Sequence, residues 1–243
     1  MIIACVGSSS TAGRGQAFDW IGALAHRPQN AHLEFHNFGV GGDLAYNALQ
    51  RLPQVVACEP DKVVVWVGGN DVLASVFPKA RRLFRLFKHL PRDPSPDWFR
   101  DNLTGLARGL KIRTAADVAL CSLGPIGEEP KSANPIQDAL NRRVGEYSRI
   151  VAEIAQLEGC RYLPLYEAMH EELLAVPGPA FAGFNFLPFY RDAFRTVVLG
   201  QSPDDVARRN GWRLHSDGVH LNSQGGMIAA NLVQQFLDSS GST

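Results

Sequence analysis

The run Val63-Val64-Val65-Trp66-Val67 is continuously apolar, and Gly68-Gly69-Asn70-Asp71 follows it directly. A strand that is apolar on both faces is typical of the centre of a parallel sheet with helices on either side. Four further short apolar runs alternate with longer helical patterns, at residues 2–6, 33–38, 117–123 and 161–165. This alternation predicts an α/β fold, a three-layer α/β/α sandwich around a five-stranded parallel sheet.

One of these runs differs from the others because polar residues alternate with apolar ones. His32, Glu34 and His36 alternate with Leu33 and Phe35, which predicts an edge strand with one wetter face. The three polar side chains are also of metal-binding type, but a solvated strand face is the favoured interpretation. Right-handed crossovers leave few strand orders, and the flavodoxin-like order 2-1-3-4-5 is consistent with the pattern.

Helical patterns occupy five longer segments. We expect helices around residues 17–25, 43–50, 98–111, 135–157 and 223–237. Asn222 or Ser223 is a suitable N-cap for the last of them. The polar loop before that helix therefore lies between the last long insertion and the closing helix.

Polar segments with hydrolytic chemistry stand near both ends of the chain. Gly7-Ser8-Ser9-Ser10-Thr11-Ala12-Gly13 follows the first apolar run, and Asp217-Gly218-Val219-His220 opens the late loop. A hydroxyl on a Gly-rich turn is a weak nucleophile that needs a histidine base, and the base needs a carboxylate to orient it. The chain offers these groups in the order Ser, Asp, His, which predicts a serine hydrolase.

Two further segments follow predicted strands and are rich in hydrogen-bond donors. They are Asn37-Phe38-Gly39-Val40-Gly41-Gly42-Asp43 and the Gly68-Gly69-Asn70-Asp71 segment quoted above. At the carboxyl ends of parallel strands, such segments present N–H groups to a site where an oxyanion develops. Asp71 is expected to anchor its own loop through local backbone amides.

With these four segments the chain resembles the SGNH hydrolases, also called the GDSL esterase and lipase family. The family's four sequence blocks are matched in order from Gly7 to His220. The first block matches at Thr11 and Gly13 as well, but position 8 is Ser where the family usually has Asp. We expect Ser8 to retain some of the hydrogen bonds that hold this turn.

The resemblance implies the SGNH hydrolase fold and a role for each matching residue. It implies that Ser9 is the nucleophile and that Asp217 and His220 complete the catalytic triad. The oxyanion hole is then formed by the N–H groups of Ser9 and Gly42 and by the side-chain amide of Asn70.

Neighbouring residues offer alternatives for three of these roles. Ser8 and Ser10 flank the matched serine, and Gly41 competes with Gly42, depending on the register of the block. His215 is a second candidate base, but it has no Asp three residues before it. The resemblance favours the residues assigned above.

Length and charge bound the organisation of the chain. At 243 residues it is predicted to form a single domain, 1–243, with inserts at about 73–97 and 172–212. Lys plus Arg equal Asp plus Glu at 24 each, so no global field favours nucleic acid or an acidic membrane. The apolar segment 181–199 contains Arg191, Asp192 and Arg195, which argues against an integral membrane segment. Nothing in the sequence determines the oligomeric state.

Cysteine usage and the first residues indicate the compartment. Cys5, Cys58, Cys121 and Cys160 are widely spaced, which is typical of free thiols in a reducing compartment. No basic segment or cleavage site of a signal peptide precedes the first apolar run. We therefore predict a cytoplasmic location.

Both inserts have a distinctive composition. The first interleaves six cations with phenylalanines and leucines, which suits a lid, a membrane-surface contact, a dock for acidic ligands or, as favoured, a surface helix whose phenylalanines pack on the core. The second is aromatic: it lines an acyl or aryl pocket or covers the core. It contains Phe181, Phe184, Phe186, Phe189, Tyr190 and Phe194.

Together these features predict a serine esterase that cleaves small acyl or aryl esters through an acyl-enzyme on Ser9, without a metal or an organic cofactor. The alternatives are a carbohydrate O-deacetylase, an acyltransferase that uses the same acyl-enzyme, and a non-catalytic binding module. The feature that favours the last is Ser8.

Overall fold

A computed structural model describes residues 1–15, 17–183 and 200–239. Its centre is a parallel sheet whose strands are β1 (Ile2–Gly7), β2 (Glu34–Gly39), β3 (Lys62–Trp66), β4 (Asp117–Cys121) and β5 (Arg161–Leu163). The strands lie in the order β2-β1-β3-β4-β5. The predicted sheet and its flavodoxin-like order are confirmed.

Helices connect the strands and cover the sheet. In the described residues they are α1 (Ser9–Ala12), α2 (Trp20–Ala25), α3 (Ala45–Gln50), α4 (Leu52–Ala57), α5 (Gly69–Val76), α6 (Pro78–Phe87), α7 (Pro96–Arg113), α8 (Pro135–Leu157), α9 (Leu165–Ala175), α10 (Pro203–Asn210) and α11 (Ser223–Asp238). A 3-10 turn lies at Pro28–Asn30.

The central strand β3 is buried along its whole length, as its apolar run predicts. Val63 and Val65 pack into a core under helices α3 to α8, whereas Val64 and Trp66 pack into a second core under α2, α9 and α11. Because successive side chains of a strand point to opposite faces, each strand contributes to both cores. The result is the predicted three-layer sandwich.

Several elements differ from the predicted bounds for local chemical reasons. Helix α2 begins at Trp20 rather than residue 17, because the Asp19 carboxylate accepts the Gly22 N–H and caps the helix there. Strand β5 ends at Leu163, since Pro164 has no N–H and stands at the N-cap of α9. Helices α1, α4, α5, α9 and α10 were not predicted.

Strand β2 occupies an edge of the sheet, as its alternating pattern predicts. His36 Nε2 lies 2.8 Å from Glu34 Oε1, and both side chains are substantially exposed. This pair is part of a solvated strand face. Within the described ranges, no three side chains of metal-binding type stand close enough to share an ion.

All four cysteines are free thiols. Cys5 and Cys121 are buried in the sheet, and burial raises the pKa of each thiol well above its usual value. The absence of bonds between the four sulfur atoms agrees with the prediction of free thiols. None of the helices described in this chain is long and apolar enough to cross a membrane.

The two predicted inserts are described to different extents. Residues 73–97 include the end of α5, all of α6 and the start of α7. Phe84 is buried, as expected of a surface helix, but Phe87 is 67% exposed, so only part of the favoured interpretation is correct. In the second insert, Phe184, Phe186, Phe189, Tyr190 and Phe194 lie outside the described residues.

Candidate active site

Ser9 lies at the carboxyl end of β1, where the chain turns into the short helix α1. The Ser8 carbonyl accepts the N–H groups of Thr11 and Ala12 at 3.2 and 2.9 Å, which fixes the turn. Trp20 Nε1 donates to the Ser10 carbonyl at 3.0 Å. Ser9 therefore stands on a turn that is tied both to itself and to α2.

The neighbouring end of β2 supports the same turn. The Asn37 side-chain amide donates to the Thr11 carbonyl at 3.0 Å, and its oxygen accepts the Gly39 N–H at 2.8 Å. A Cβ on Gly39 would stand 2.2 Å from the Ala12 nitrogen, so only glycine permits this approach. The first and second sequence blocks are therefore in direct contact.

Asp217 and His220 lie in the loop between α10 and α11, and the structure brings them to Ser9. His220 Nε2 is 2.8 Å from Ser9 Oγ, and His220 Nδ1 is 2.7 Å from Asp217 Oδ2. Asp217 Oδ1 also accepts the backbone N–H groups of Val219 and His220. The two ends of the chain thus form one hydrogen-bonded row of hydroxyl, imidazole and carboxylate.

The row has a defined proton arrangement. A carboxylate accepts hydrogen bonds only, so His220 Nδ1 carries the ring proton and Nε2 is left to accept the Ser9 hydroxyl. Burial raises the pKa of Asp217. The charge and hydrogen bond of His220 and the backbone N–H groups lower it by a larger amount, so the pKa lies below its usual value. Asp217 therefore stays ionised beside the imidazole.

The predicted oxyanion donors stand at the same edge of the sheet, after β1, β2 and β3. Within residues 1–15, 17–183 and 200–239, neither the Ser9 N–H nor the Gly42 N–H donates to another protein group. Asn70 is buried and donates one amide proton to the Asp43 carbonyl at 2.8 Å. A side-chain amide has two N–H bonds, so one remains for a ligand.

The side chain of Ser8 does not behave as predicted. Ser8 precedes α1 but makes no side-chain capping hydrogen bond, and the turn depends on its carbonyl instead. The Ser8 side chain is short and has one hydroxyl oxygen, whereas the Asp that is usual at this position has a longer side chain with two carboxylate oxygens. The expectation that the hydroxyl retains turn-holding bonds is therefore not supported.

Asp71 anchors a more distant group than predicted. It is 1% exposed, and its Oδ2 accepts the N–H of Ala45, the first residue of α3, at 3.2 Å. Burial raises the pKa of Asp71 to about 7, although the Ala45 N–H and its own N–H lower it. Asp71 thus joins the third block to the helix that follows the second, in addition to contacting its own backbone.

His215 is fully buried and belongs to a different pair. Its Nδ1 lies 2.8 Å from Glu128 Oε1, and its Nε2 lies 2.8 Å from the Pro125 carbonyl. Both ring nitrogens of His215 therefore face acceptor oxygens that lie away from Ser9. His215 is therefore not available as the base for Ser9.

Glu128 was not identified from the sequence, since no motif surrounds it. Its carboxylate also accepts the backbone N–H groups of Arg213, Leu214 and His215 at 2.6 to 2.9 Å. Burial raises the pKa of Glu128, but His215 and these N–H groups lower it below its usual value. The ionised carboxylate fixes the segment that leads into the Asp217 loop.

A cleft opens beside Ser9. Its polar side is formed by the serine turn with Gly69 and Asn70, and its apolar side by residues from β3, the loop after β4 and the Asp217 loop: Trp66, Val67, Leu123, Ile126, Val219 and Leu221. The cavity volume is about 40 Å³. On the same scale one water molecule needs roughly 10 to 15 Å³, so the cavity suits a group of a few heavy atoms.

Residues 5–227 match the model of the GDSL-like Lipase/Acylhydrolase family. The chain belongs to this family. The match covers all four blocks and includes Ser9, Gly42, Asn70, Asp217 and His220. The GDSL-like family assignment supports serine ester hydrolysis and identifies the chain as a carboxylic ester hydrolase.

Solved structures show the same fold at low sequence identity. The acetyl xylan esterase AlAXEase is 20% identical, with a TM-score of 0.63 over 98% of this chain and 100% of that chain. Axe2, an acetylxylan esterase from Geobacillus stearothermophilus, is 17% identical, with a TM-score of 0.62 over 98% and 94%. LAE5, from the metagenome of Lake Arreo, is 18% identical, with a TM-score of 0.63 over 96% and 93%. No curated protein matches the chain.

Proposed function

We propose that this protein is a serine esterase that hydrolyses esters of small acyl groups through an acyl-enzyme on Ser9. The observation that carries the proposal is the row in which Ser9 Oγ is 2.8 Å from His220 Nε2 and Asp217 is 2.7 Å from His220 Nδ1. These distances are those of a nucleophile, its general base and the group that orients the base.

In the first step His220 takes the proton of Ser9 as Oγ attacks the carbonyl carbon of the ester. The ring becomes an imidazolium, which the ionised carboxylate of Asp217 stabilises. The carbonyl oxygen develops negative charge and is held by the N–H groups of Ser9 and Gly42 and by the second amide proton of Asn70. The C–O bond of the ester then breaks, and His220 protonates the departing alcohol.

The second step returns the enzyme to its starting state. Water enters the space that the alcohol leaves, and His220 takes one of its protons as the oxygen attacks the acyl-enzyme. The same three donors hold the second oxyanion. When the bond to Ser9 breaks, the proton returns to Oγ and the carboxylic acid is released.

The size of the cleft favours a short acyl group. A cavity of about 40 Å³ suits an acetyl group, and its apolar wall includes Leu123, Ile126 and Val219. Longer acyl chains need space beyond this wall, and each methylene that does not fit costs about 1 to 3 kcal/mol. We therefore expect the acyl group of the ester to be short.

Acyl chain length is the direct test of this substrate class. We expect kcat/KM for p-nitrophenyl acetate to equal or exceed that for the butyrate, and to exceed that for the octanoate at least about tenfold. Spectrophotometric release of p-nitrophenol measures all three. A preference for octanoate would contradict the proposal.

A second candidate function is carbohydrate O-deacetylation. It is favoured by the acetyl-sized cavity together with the names of AlAXEase and Axe2, which are esterases of acetylated xylan. Acetate release from acetylated xylose and from p-nitrophenyl acetate, measured side by side, discriminates the two functions. A higher kcat/KM on the acetylated sugar assigns deacetylation, and transfer of acetyl to an added alcohol assigns an acyltransferase.

The pH profile should report the base. Burial lowers the pKa of His220. The charge and hydrogen bond of Asp217 raise it by a larger amount, so the pKa lies above the ordinary histidine value. A raised pKa keeps the ring protonated to a higher pH, and a protonated ring cannot accept the Ser9 proton. We expect kcat/KM to fall as pH falls, with a midpoint above about 6.5.

Asp217→Asn is the matched variant for this profile. Without the carboxylate the midpoint should move to lower pH, and the rate should fall by roughly 10⁴-fold. Initial rates with p-nitrophenyl acetate across mildly acidic to mildly alkaline pH measure both effects. A wild-type midpoint below the ordinary histidine value would show that another group limits the rate.

A further inference from the structure

Lys88, the C-cap of α6, reaches from the basic insert to the turn that contains Gly42. Its Nζ donates to the Gly41 carbonyl at 2.5 Å and lies 2.8 Å from Asp43 Oδ1. A Cβ on Gly42 would lie 2.8 Å from Lys88 Cε, so the aliphatic part of the lysine covers this glycine. The insert thus contacts every residue of the Gly41-Gly42-Asp43 turn.

The other oxygen of Asp43 ties the turn to the sheet. Asp43 Oδ2 lies 2.8 Å from the guanidinium of Arg51, which also donates to the Gly7 carbonyl at 3.1 Å and to the Phe38 carbonyl. The Asp43 side chain is 6% exposed. One buried carboxylate therefore holds two cations, one from the insert and one from α3's C-cap, beside the turn.

Two further contacts join this cluster to the site. The Asp43 carbonyl accepts the amide of Asn70, which lines the cleft beside Ser9. The Asn47 side chain donates to the Lys88 carbonyl at 3.1 Å and accepts the Leu44 N–H, so the end of α6 is fastened to the start of α3. The insert, the turn and the proposed oxyanion donors form one connected unit.

We propose that Lys88 is a positioning residue that holds the Gly41–Gly42 peptide so that the Gly42 N–H points at the developing oxyanion. This inference rests on the proposed function. Gly42 has a φ of 78°, a conformation that glycine adopts readily but from which it also moves readily. Donors in an oxyanion hole are effective because they are already oriented when charge develops. The lysine tether supplies that orientation.

The positive charge of Lys88 also favours the transition state. Lys88 and Arg51 together carry one more positive charge than Asp43 neutralises, and the Lys88 ammonium binds the carbonyl end of the Gly41–Gly42 peptide. A fixed positive charge near a developing oxyanion stabilises the transition state more than the neutral substrate. Loss of Lys88 should therefore lower kcat more than it raises KM.

The test is Lys88→Met with Arg82→Met as its matched control. Arg82 is an exposed cation on the same helix, so its replacement removes the same charge without touching the turn. We expect Lys88→Met to lower kcat for p-nitrophenyl acetate about tenfold to a hundredfold, less than the hundredfold to thousandfold loss of a whole oxyanion donor. KM should change much less, Arg82→Met should match wild type, and Lys88→Arg should recover part of the loss.

The measurement separates this proposal from folding and from the proposed function. Rates are divided by the number of active sites that react with a fluorophosphonate probe, so unfolded protein does not count. Unchanged kcat in Lys88→Met, an equal loss in Arg82→Met, or a loss confined to KM would each overturn the positioning role. Failure of the proposed function itself would give a different result, since wild type and Ser9→Ala would then have equal rates.

Discussion

Ser9→Ala should lower kcat for p-nitrophenyl acetate by roughly a millionfold, to a level set by whatever binding and oxyanion stabilisation remain. The reason is chemical: alanine has no atom that can bond to the acyl carbon, so the two-step route through an acyl-enzyme is closed. The Ser9 hydroxyl oxygen lies 2.8 Å from His220 Nε2. Its removal leaves the backbone donors in place.

Ser10→Ala is the matched control for this prediction. It removes a hydroxyl one residue away on the same helix, and its backbone carbonyl still accepts Trp20 Nε1. We expect its kcat to stay close to wild type. Turnover by Ser9→Ala equal to wild type would exclude Ser9 as the nucleophile. Absence of turnover in both wild type and Ser9→Ala would favour a binding module.

Glu128→Ala should have the largest effect on stability, a loss of about 3 to 5 kcal/mol in the free energy of unfolding. The carboxylate is fully buried and accepts three backbone N–H groups and the His215 ring. Alanine leaves these donors without an acceptor in a region that water does not reach. For a chain of this size Tm should fall by about 6 to 20 °C.

Glu153→Ala is the control for this loss. Glu153 pairs with Arg100 on the surface, with half of its side chain exposed, and such pairs contribute about 0 to 1 kcal/mol. Urea unfolding of both variants measures the difference. If Glu128→Ala were no less stable than Glu153→Ala, the buried pair would not fix this part of the fold.

The sequence predicts most of the fold because its signals are local. Residues 63–67 are apolar without interruption, and β3 is buried on both faces. Helix α8 spans Pro135–Leu157 as predicted, with Asn134 and a proline at its start. Short helices such as α4 and α10 were missed, since six to eight residues carry little periodicity and their stability comes from tertiary packing.

The residues of the candidate site also differ in whether the sequence reveals them. Ser9, Asp217 and His220 are recognisable because each sits in a short segment whose spacing is tied to its chemistry. The contact between Lys88 and Gly41 joins residues 47 positions apart, and that between Glu128 and His215 joins residues 87 apart. No local pattern records such partners, and a basic helix or an isolated glutamate has the same appearance with or without them.

The alternation of strands and helices and the residue types of the proposed site could thus be predicted from the sequence, and its pattern was consistent with the observed strand order. These follow from backbone preferences and from chemistry that neighbouring residues supply. Only the tertiary structure decided that His215 faces Glu128 while His220 faces Ser9, and that the basic insert contacts the Gly42 turn. Those choices depend on which buried acceptors each ring and each cation meets, because an unpaired buried polar group is costly and the completed fold determines its partners.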